Sequence, residues 1–257
     1  NKILLSKGPT KITTPDSYIL SGEDIIVDTA NKRIYSNKDS ILKDLDGNKI
    51  FFKNFDYSTK TNIFKSIGLV KLRDKADNSY EFSQTYIDTK KKEVLGTDIK
   101  VYLNQNDFKI NDKNNPRVFA NSGSISKEKS SFRKSIFTIC QYRKNDKCPP
   151  WSIQSKKMLH DNKKKTIYYD HAIVKVYDIP IFYFPKFSHP DPTVDRRSGF
   201  LPPTLYDSKN LGSGISLPYF VNLGVDKNFT LTNRIYNTEN PLILGEYHQA
   251  FRNSNFI

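Results

Sequence analysis

Three segments of this chain, IIVDTANKRIY (25–35), FDYSTKTNIF (55–64) and TYIDTKKKEVL (85–95), superpose when the sequence is shifted against itself by thirty residues. Each has a polar turn of Asp, Ser, Thr and Lys between two runs of β-branched and aromatic residues. That composition is typical of a β-hairpin. A looser fourth copy, MLHDNKKKTIYY, spans residues 158–169. The repeat therefore predicts an all-β fold built from stacked hairpins.

Further alternating strands lie between the copies, at 49–55, 80–86 and 99–103. One hairpin cannot bury its own apolar face, so the stack must close over itself into an elongated roll with an apolar interior. That interior is either a plain packed core or a splayed sandwich that offers its side chains to an acyl chain. The alternation assigns nine residues to it: Ile50, Phe52, Tyr80, Phe82, Ile99, Val101, Leu103, Val174 and Val176.

The segment IPIFYFPKFSHPDPTVDRRSGFLPPTL (179–205) contains six prolines and an Arg-Arg-Ser-Gly turn. Proline lacks the backbone donor that a central strand needs, so these prolines should interrupt any sheet ladder that passes through. We therefore expect three regions: a roll over 1–178, a Pro-rich junction over 179–205 and a second β region over 206–257.

Residues 214–251 read as strands of about eight to eleven residues joined by short turns, the length that a tilted transmembrane β-strand needs. In FTLTNRIY (229–236) one face is mainly apolar and the other mainly polar. This suits the wall of a membrane barrel, and it also suits a soluble antiparallel sheet. Too few strands are present to close a barrel, so we expect the chain to be a fragment of a longer secreted protein.

The composition narrows the possible functions. The net charge is +14 over 257 residues, but the lysines are spread over polar turns, which argues against a nucleic-acid partner. No segment has the roughly 18 unbroken apolar residues of a membrane-spanning helix. His160-Asp161 and Asp170-His171 lie without a nucleophile motif or a phosphate loop, so we expect no catalytic residue, no enzyme activity and no cofactor.

Cys148 to Pro203, followed by LPYFVNLGVDKNFTLTNRIY (217–236), resembles the LPS-assembly protein (LptD) family, also called organic solvent tolerance protein (OstA), of Gram-negative outer membranes. The resemblance covers nearly the whole chain. Its most specific parts are Trp151-Ser-Ile, His160-Asp161, the run from Pro180 to Pro185, and RRSGFL at 196–201.

The resemblance implies a periplasmic β-jellyroll followed by the first strands of an outer-membrane β-barrel. The jellyroll would conduct the acyl chains of lipopolysaccharide to a barrel that opens sideways into the membrane. The implied partners are lipopolysaccharide, the lipoprotein LptE, and the bridge protein LptA, which would add a strand to the N-terminal edge of the roll. The implied location is the outer membrane, with the N-terminal domain in the periplasm.

The resemblance also assigns roles to single residues. Pro203 and Pro218 match the prolines that weaken the lateral gate of the barrel, because each removes a ladder hydrogen bond. Arg196 and Arg197 form either a polar turn or contacts to lipopolysaccharide phosphates. Cys140 and Cys148 form either a local disulfide or a long-range one, since the family has a cysteine at Cys140 that bridges to the end of the barrel. We expect no metal site at these cysteines.

Two other functions remain open from the residues alone. A soluble structural or adhesive β-solenoid would use the repeat for architecture only and would show no change in strand length after residue 214. A periplasmic LPS-binding bridge component similar to LptA would have the roll without a barrel.

Overall fold

The computed structural model describes residues 3–104, 115–140, 149–191, 193–194, 196–201, 204–208 and 212–256. Within these ranges the chain is all β, and its paired strands run antiparallel, as predicted. It divides into two compact units, Asn1–Thr193 and Val194–Ile257. No helix in the described ranges is long and apolar enough to cross a membrane.

The first unit contains sixteen strands in one sheet. The first eight have four residues each: β1 (Ile3–Ser6), β2 (Thr10–Thr13), β3 (Ile19–Gly22), β4 (Ile25–Asp28), β5 (Arg33–Ser36), β6 (Ser40–Lys43), β7 (Lys49–Phe52) and β8 (Phe55–Ser58). The other eight have ten to twelve: β9 (Ile63–Arg73), β10 (Ser79–Asp88), β11 (Glu93–Tyr102), β12 (Arg117–Ser126), β13 (Lys129–Thr138), β14 (Trp151–Asp161), β15 (Thr166–Val176) and β16 (Ile179–Pro190).

Strand β9 joins two layers of this sheet. Its first half pairs with β8 and its second half with β7. Strands β1, β4, β5 and β8 form one layer, and β2, β3, β6 and β7 form the other. From β9 onward each strand crosses both layers and pairs with its neighbours in chain order. The result is a sheet folded over on itself, consistent with the predicted jellyroll of stacked hairpins.

Five turns along one edge of the roll form what we call the lysine row: residues 28–32, 58–62, 88–92, 126–129 and 161–165. Four of them are the sequence repeats. In three copies the leading Asp carboxylate accepts a hydrogen bond from the backbone N–H three residues later, at 3.0 Å for Asp28, 2.8 Å for Asp88 and 3.0 Å for Asp161. This Asx turn explains why the repeat begins with Asp.

A second set of turns, residues 14–18, 44–48 and 74–78, forms what we call the aspartate row. Asp44 Oδ1 accepts from the Asn48 N–H at 2.8 Å, and Asp74 Oδ1 accepts from the Asn78 N–H at 2.9 Å. Both turns have the pattern Asp-x-x-x-Asn at the same thirty-residue spacing. The sequence therefore held a second repeated turn that the hairpin alignment missed.

The long strands all bend at one line across the sheet, where the ladder pairing skips a position. In alternate strands the residue on this line has a left-handed backbone: Gly68 (φ 107°), Asp98 (φ 49°), Lys134 (φ 48°) and His171 (φ 53°). These four, with Ser83, Asn121, Lys156 and Pro185 between them, form what we call the bend row. Glycine adopts this conformation without the steric cost that a Cβ brings, and the other three accept it because the sheet folds there.

The apolar side chains of both layers meet inside the fold. In β11 the buried face contains Val94 before the bend and Ile99 and Val101 after it, because the bend shifts the alternation by one residue. Gly96 and Gly123 face each other on β11 and β12, and a Cβ on Gly96 would lie 2.3 Å from the Phe82 ring. These glycines leave the room that the interior rings occupy.

Strand β16 corrects one expectation about the junction. Pro180, Pro185 and Pro190 lie within it, and it pairs with β15 from Thr166↔Pro190 to Val176↔Ile179. The ladder survives because β16 is the last strand of the sheet, and proline is tolerated where no further strand needs its N–H. The first unit therefore continues past the boundary expected at residue 178.

The second unit is an open antiparallel sheet of six strands: β17 (Gly199–Phe200), β18 (Thr204–Ser208), β19 (Gly212–Asn222), β20 (Lys227–Tyr236), β21 (Leu242–Ala250) and β22 (Asn255–Phe256). Strands β19 to β21 have nine to eleven residues, as predicted. Strands of this length already begin at β9, so strand length does not distinguish the two units.

Candidate functional site

The interior of the roll is filled by aromatic rings in its middle section. Phe64 stacks on Tyr57 with ring centroids 4.1 Å apart and on Phe52 at 6.2 Å. Phe55 packs against Phe64 at 5.9 Å, and all four side chains are at most 3 % exposed. Here the interior is a packed core, as the plainer of the two sequence interpretations holds.

The structure brings most of the predicted interior residues together. Five are buried (Ile50, Phe52, Phe82, Ile99 and Val101), and three are partly buried against this core (Tyr80, Leu103 and Val174). Val176 differs from the expectation: it lies at the end of β15 and is 40 % exposed. Periodicity placed it on the buried face, but the strand runs beyond the core there.

A cavity of about 390 Å³ lies in the first unit beside this core. Its floor is apolar and includes three of the predicted residues, Ile50, Tyr80 and Leu103, together with Leu72 and Val94. Its rim is charged and polar, with residues from both rows of turns: Asp44, Asp46, Asp74, Lys92, Lys127 and Asn162. An apolar floor with a charged rim suits an amphipathic ligand.

The cavity opens between the lysine row and the aspartate row, a gap that we call the slot. Across it, Thr89 Oγ1 donates to Asp16 Oδ2 at 2.8 Å, and Lys127 Nζ lies 3.3 Å from Asp46 Oδ1. Lys127 and Asp46 are exposed, and such ion pairs stabilise a fold by only about 0–1 kcal/mol. The sequence reading missed these residues, because nothing in the chain relates positions more than seventy residues apart.

Burial and acidic neighbours raise the pKa values of two tyrosines at the slot, Tyr18 and Tyr80. Burial and, to a smaller extent, the nearby carboxylates of Asp44, Asp16 and Asp46 together raise the pKa of Tyr18 to about 12. Burial also raises the pKa of Tyr80, whose hydroxyl donates to Asp74 Oδ2 at 3.2 Å. Both phenols therefore stay neutral at physiological pH, and the Tyr80 hydroxyl acts as a hydrogen-bond donor to Asp74.

Neither His-Asp pair of the sequence forms an acid/base pair. His160 contacts Asp191 instead, while Asp161 caps its own turn by accepting the Lys164 N–H. His171 Nδ1 lies 2.6 Å from the Tyr183 hydroxyl. Burial would raise the pKa of Asp191, but hydrogen bonds from His160 and from the Thr193 N–H outweigh it and lower that pKa to about 2. These histidines stabilise the fold around β14 to β16.

Cys140 is buried beside Trp151, with its Sγ 3.7 Å from the Trp151 carbonyl oxygen. Arg117 Nη1 donates to the Cys140 carbonyl oxygen at 2.6 Å. Cys140 forms no disulfide with any described residue, and Cys148 lies outside the described residues. Both disulfide pairings stay predictions. No group of three or more metal-ligating side chains occurs within the described ranges.

In the second unit, Arg196 holds a turn. Its Nη1 donates to the Val225 carbonyl oxygen at 2.7 Å, and its guanidinium lies 5.9 Å from the centre of the Phe220 ring. Asn222 Nδ2 donates to the Arg196 carbonyl oxygen at 3.3 Å. These contacts agree with the polar-turn alternative for Arg196, and Arg197 follows it as an exposed residue, while the phosphate contacts stay a prediction.

Pro218 lies in the middle of β19. Its carbonyl oxygen accepts the Leu201 N–H at 2.9 Å, so its ring nitrogen also faces the chain that precedes β18. There β17 and β18 pair with β19 in registers that differ by one residue, Phe200↔Tyr219 against Thr204↔Ser216. The ladder is thus weakest on this side of Pro218. Pro203 lies outside the described residues.

No family model matches the chain. It is similar to curated proteins named "LPS-assembly protein LptD". The protein of Psychrobacter cryohalolentis is 33% identical over 112 residues, which is 41% of this chain and 11% of that protein. The protein of Nitrosococcus oceani is 28% identical over 188 residues, 68% of this chain and 24% of that protein. The protein of Francisella tularensis subsp. novicida is 36% identical over 88 residues, 34% of this chain and 10% of that protein.

The chain thus spans between about a tenth and a quarter of the length of these relatives. The similarity to several of them agrees with the folded-over sheet of repeated hairpins and with the family motifs between Cys148 and Pro203. The similarity to several of these proteins supports membership of the chain in the LPS-assembly protein LptD family.

Proposed function

We propose that this chain takes part in the transport and assembly of lipopolysaccharide at the outer membrane, with the roll as the segment that receives the acyl chains. The observation that carries the proposal is the cavity with an apolar floor of Ile50, Tyr80 and Leu103 beneath a charged slot. Acyl chains gain about 0.8 kcal/mol for each CH₂ group that they bury, so a short stretch of this floor is a favourable site for them.

The packed middle of the roll limits how a lipid would pass. The buried rings of Phe52, Phe55 and Phe64 pack together in the middle of the roll, so acyl chains that pass there would have to displace contacts between the two layers. The layers are continuous through β9 to β16 at the bend row, whereas the slot is crossed by a few polar contacts. Parting at the slot is therefore the least costly way to admit a lipid.

The second unit would be the beginning of the outer-membrane barrel, with the roll in the periplasm. Its strands β19 to β21 have the length that a tilted membrane strand needs. The missing N–H of Pro218 and the register change beside it would form one side of the lateral gate, and the resemblance implies Pro203 as the second proline of that gate. LptE would be the partner of the complete barrel.

The N-terminal edge of the roll would bind LptA by strand addition. Among the described strands, β1 and β2 each pair on one side only. Strand β1 also exposes three apolar side chains, Ile3, Leu4 and Leu5, each more than half accessible. An unpaired edge with exposed apolar residues is the surface that strand addition uses.

Photocrosslinking tests the proposal in the intact protein in its membrane. A photoreactive residue replaces Tyr80 or Leu103 at the cavity floor, with Lys53 and Lys100 on the outer surface as controls. We expect lipopolysaccharide adducts at the first pair and not at the second. Protein that is folded and inserted but forms no adduct at the floor would contradict the proposal and indicate a structural roll.

A further inference from the structure

The two rims of the slot carry opposite charge. The five turns of the lysine row contain ten lysines and four acidic residues, whereas the three described turns of the aspartate row contain five aspartates and one lysine. The four acidic residues of the lysine row include three that lead Asx turns and point back into their own turn. The charge that the lysine row presents outward is therefore strongly positive.

The lysines follow the axis of the roll at a regular interval. Each turn of the row joins two neighbouring strands, and strands lie about 4.8 Å apart in a sheet, so successive turns lie about 10 Å apart. Lys92 and Lys127, from two successive turns, both line the cavity. A ligand whose apolar part rests on the cavity floor would hold its polar part beside these ammonium groups.

We propose that the lysine row binds the phosphate groups of a lipid whose acyl chains occupy the apolar floor of the slot. This rests on the proposed function and deepens it, because it assigns the headgroup contact to one rim. Phosphate suits the site because it offers several acceptor oxygens to ammonium donors that rotate freely. The aspartate row repels the same group, so the headgroup lies toward the lysine row and one orientation of the lipid is favoured.

The row also provides more than one equivalent position for a phosphate. The turns at 88–92, 126–129 and 161–165 follow one another along β10 to β15, and each contains two or three lysines. A phosphate released from one turn meets the next about 10 Å further along, a distance comparable to the Debye length at physiological salt. Progress along the roll would then proceed from turn to turn.

The test compares two probes on the intact protein: lipopolysaccharide, and the same lipopolysaccharide with its lipid A phosphates removed. The slot variant carries Lys91→Gln, Lys92→Gln and Lys127→Gln. The control variant removes three exposed lysines from elsewhere on the roll, Lys38→Gln, Lys134→Gln and Lys156→Gln, and so keeps the same net charge. Circular dichroism and adducts at Tyr80 check that each variant folds and still receives acyl chains.

We expect the unchanged protein and the control variant to bind the phosphorylated probe more tightly than the dephosphorylated one. The slot variant should lose about tenfold in affinity for the phosphorylated probe and bind both probes equally. An unchanged preference in the slot variant, with adducts still forming at Tyr80, would overturn the headgroup assignment and leave the lipid path intact. An equal loss in the control variant would overturn it as well, since the effect would then be general charge. Failure of every form to bind either probe would remove the proposed function itself.

Discussion

A methyl group added at Gly96 gives the sharpest test of how the interior of the roll is packed. The Cβ of Gly96→Ala would lie 2.3 Å from Phe82 Cδ1 and 2.9 Å from Cε1, well inside van der Waals contact. The Phe82 ring is 1 % exposed, so it has no solvent-filled space to move into. The backbone of Gly96 is not left-handed, so any loss of stability comes from the clash and not from strain.

Overpacking of a core destabilises a protein by about 1–3 kcal/mol. Replacing glycine by alanine offsets about 0.4–1 kcal/mol of this, because alanine lowers the conformational entropy of the unfolded chain. We therefore expect Gly96→Ala to lower the free energy of unfolding by about 1–2 kcal/mol. Phe82→Leu alone should cost a similar amount, because it leaves a cavity. Together the two changes should nearly compensate, with a coupling energy of at least about 1 kcal/mol.

Urea unfolding followed by tryptophan fluorescence measures the stability of the four proteins in this double-mutant cycle: the unchanged protein, the two single variants and the double variant. Trp151 is the single tryptophan of the chain, and it packs edge-on against Phe137 in the first unit, with ring centroids 6.4 Å apart. Gly8→Ala is the matched control, because a Cβ there would meet nothing within 4 Å. Additive effects of Gly96→Ala and Phe82→Leu would show that the two side chains do not share one space, and the packing argument would fail.

Three further predictions concern other parts of the chain. The pKa of Asp191 is lowered to about 2 in the folded state, so its carboxylate adds up to about 2 kcal/mol to the free energy of unfolding above pH 4. This contribution is lost as the pH falls toward 2. Unfolding of Asp191→Asn, measured over the same pH range, should not show that loss. Arg196→Ala should cost about 1 kcal/mol and speed hydrogen exchange in the turn at Val225, since it removes a hydrogen bond and a ring contact; unchanged exchange there would contradict the turn role. Pro218→Ala restores a backbone N–H on the side that pairs with Leu201 and should therefore raise the melting temperature of the second unit. A lower melting temperature would contradict the argument that Pro218 weakens this ladder.

The hairpin repeat predicted the fold well because the residues that form each turn lie next to one another in the sequence. The leading Asp of a turn accepts a backbone hydrogen bond within four residues, so the sequence shows it directly. The bend row is different. Lys134 and His171 adopt left-handed backbones because the whole sheet folds at their line, and nothing in their neighbours along the chain signals it.

The same distinction explains the candidate site. Ile50, Phe82 and Val101 were placed inside by alternation, which is a local pattern. The slot depends on which turn meets which, and Thr89 meets Asp16 across the fold at a sequence separation of 73 residues. The expectation that the prolines interrupt the ladder was wrong for a related reason. Whether Pro185 breaks the ladder depends on whether its strand lies at the edge of the sheet, and the order of all the strands decides that.

A packed interior is compatible with the proposed lipid path because the two long edges of the roll differ in strength. Continuous strands join the layers at the bend row, whereas side-chain contacts join them at the slot. At the bend row, eight continuous strands connect the layers through covalent chain, and separation there would break every one of them. At the slot, the hydrogen bond from Thr89 to Asp16 and the exposed ion pair of Lys127 and Asp46 together contribute about 1–2 kcal/mol. The larger cost of parting the layers is the apolar surface that it exposes, at about 25 cal/mol per Å². An acyl chain that enters as the layers part would cover that surface and return this cost, so the aromatic core that packs the roll would also supply the surface for the proposed lipid.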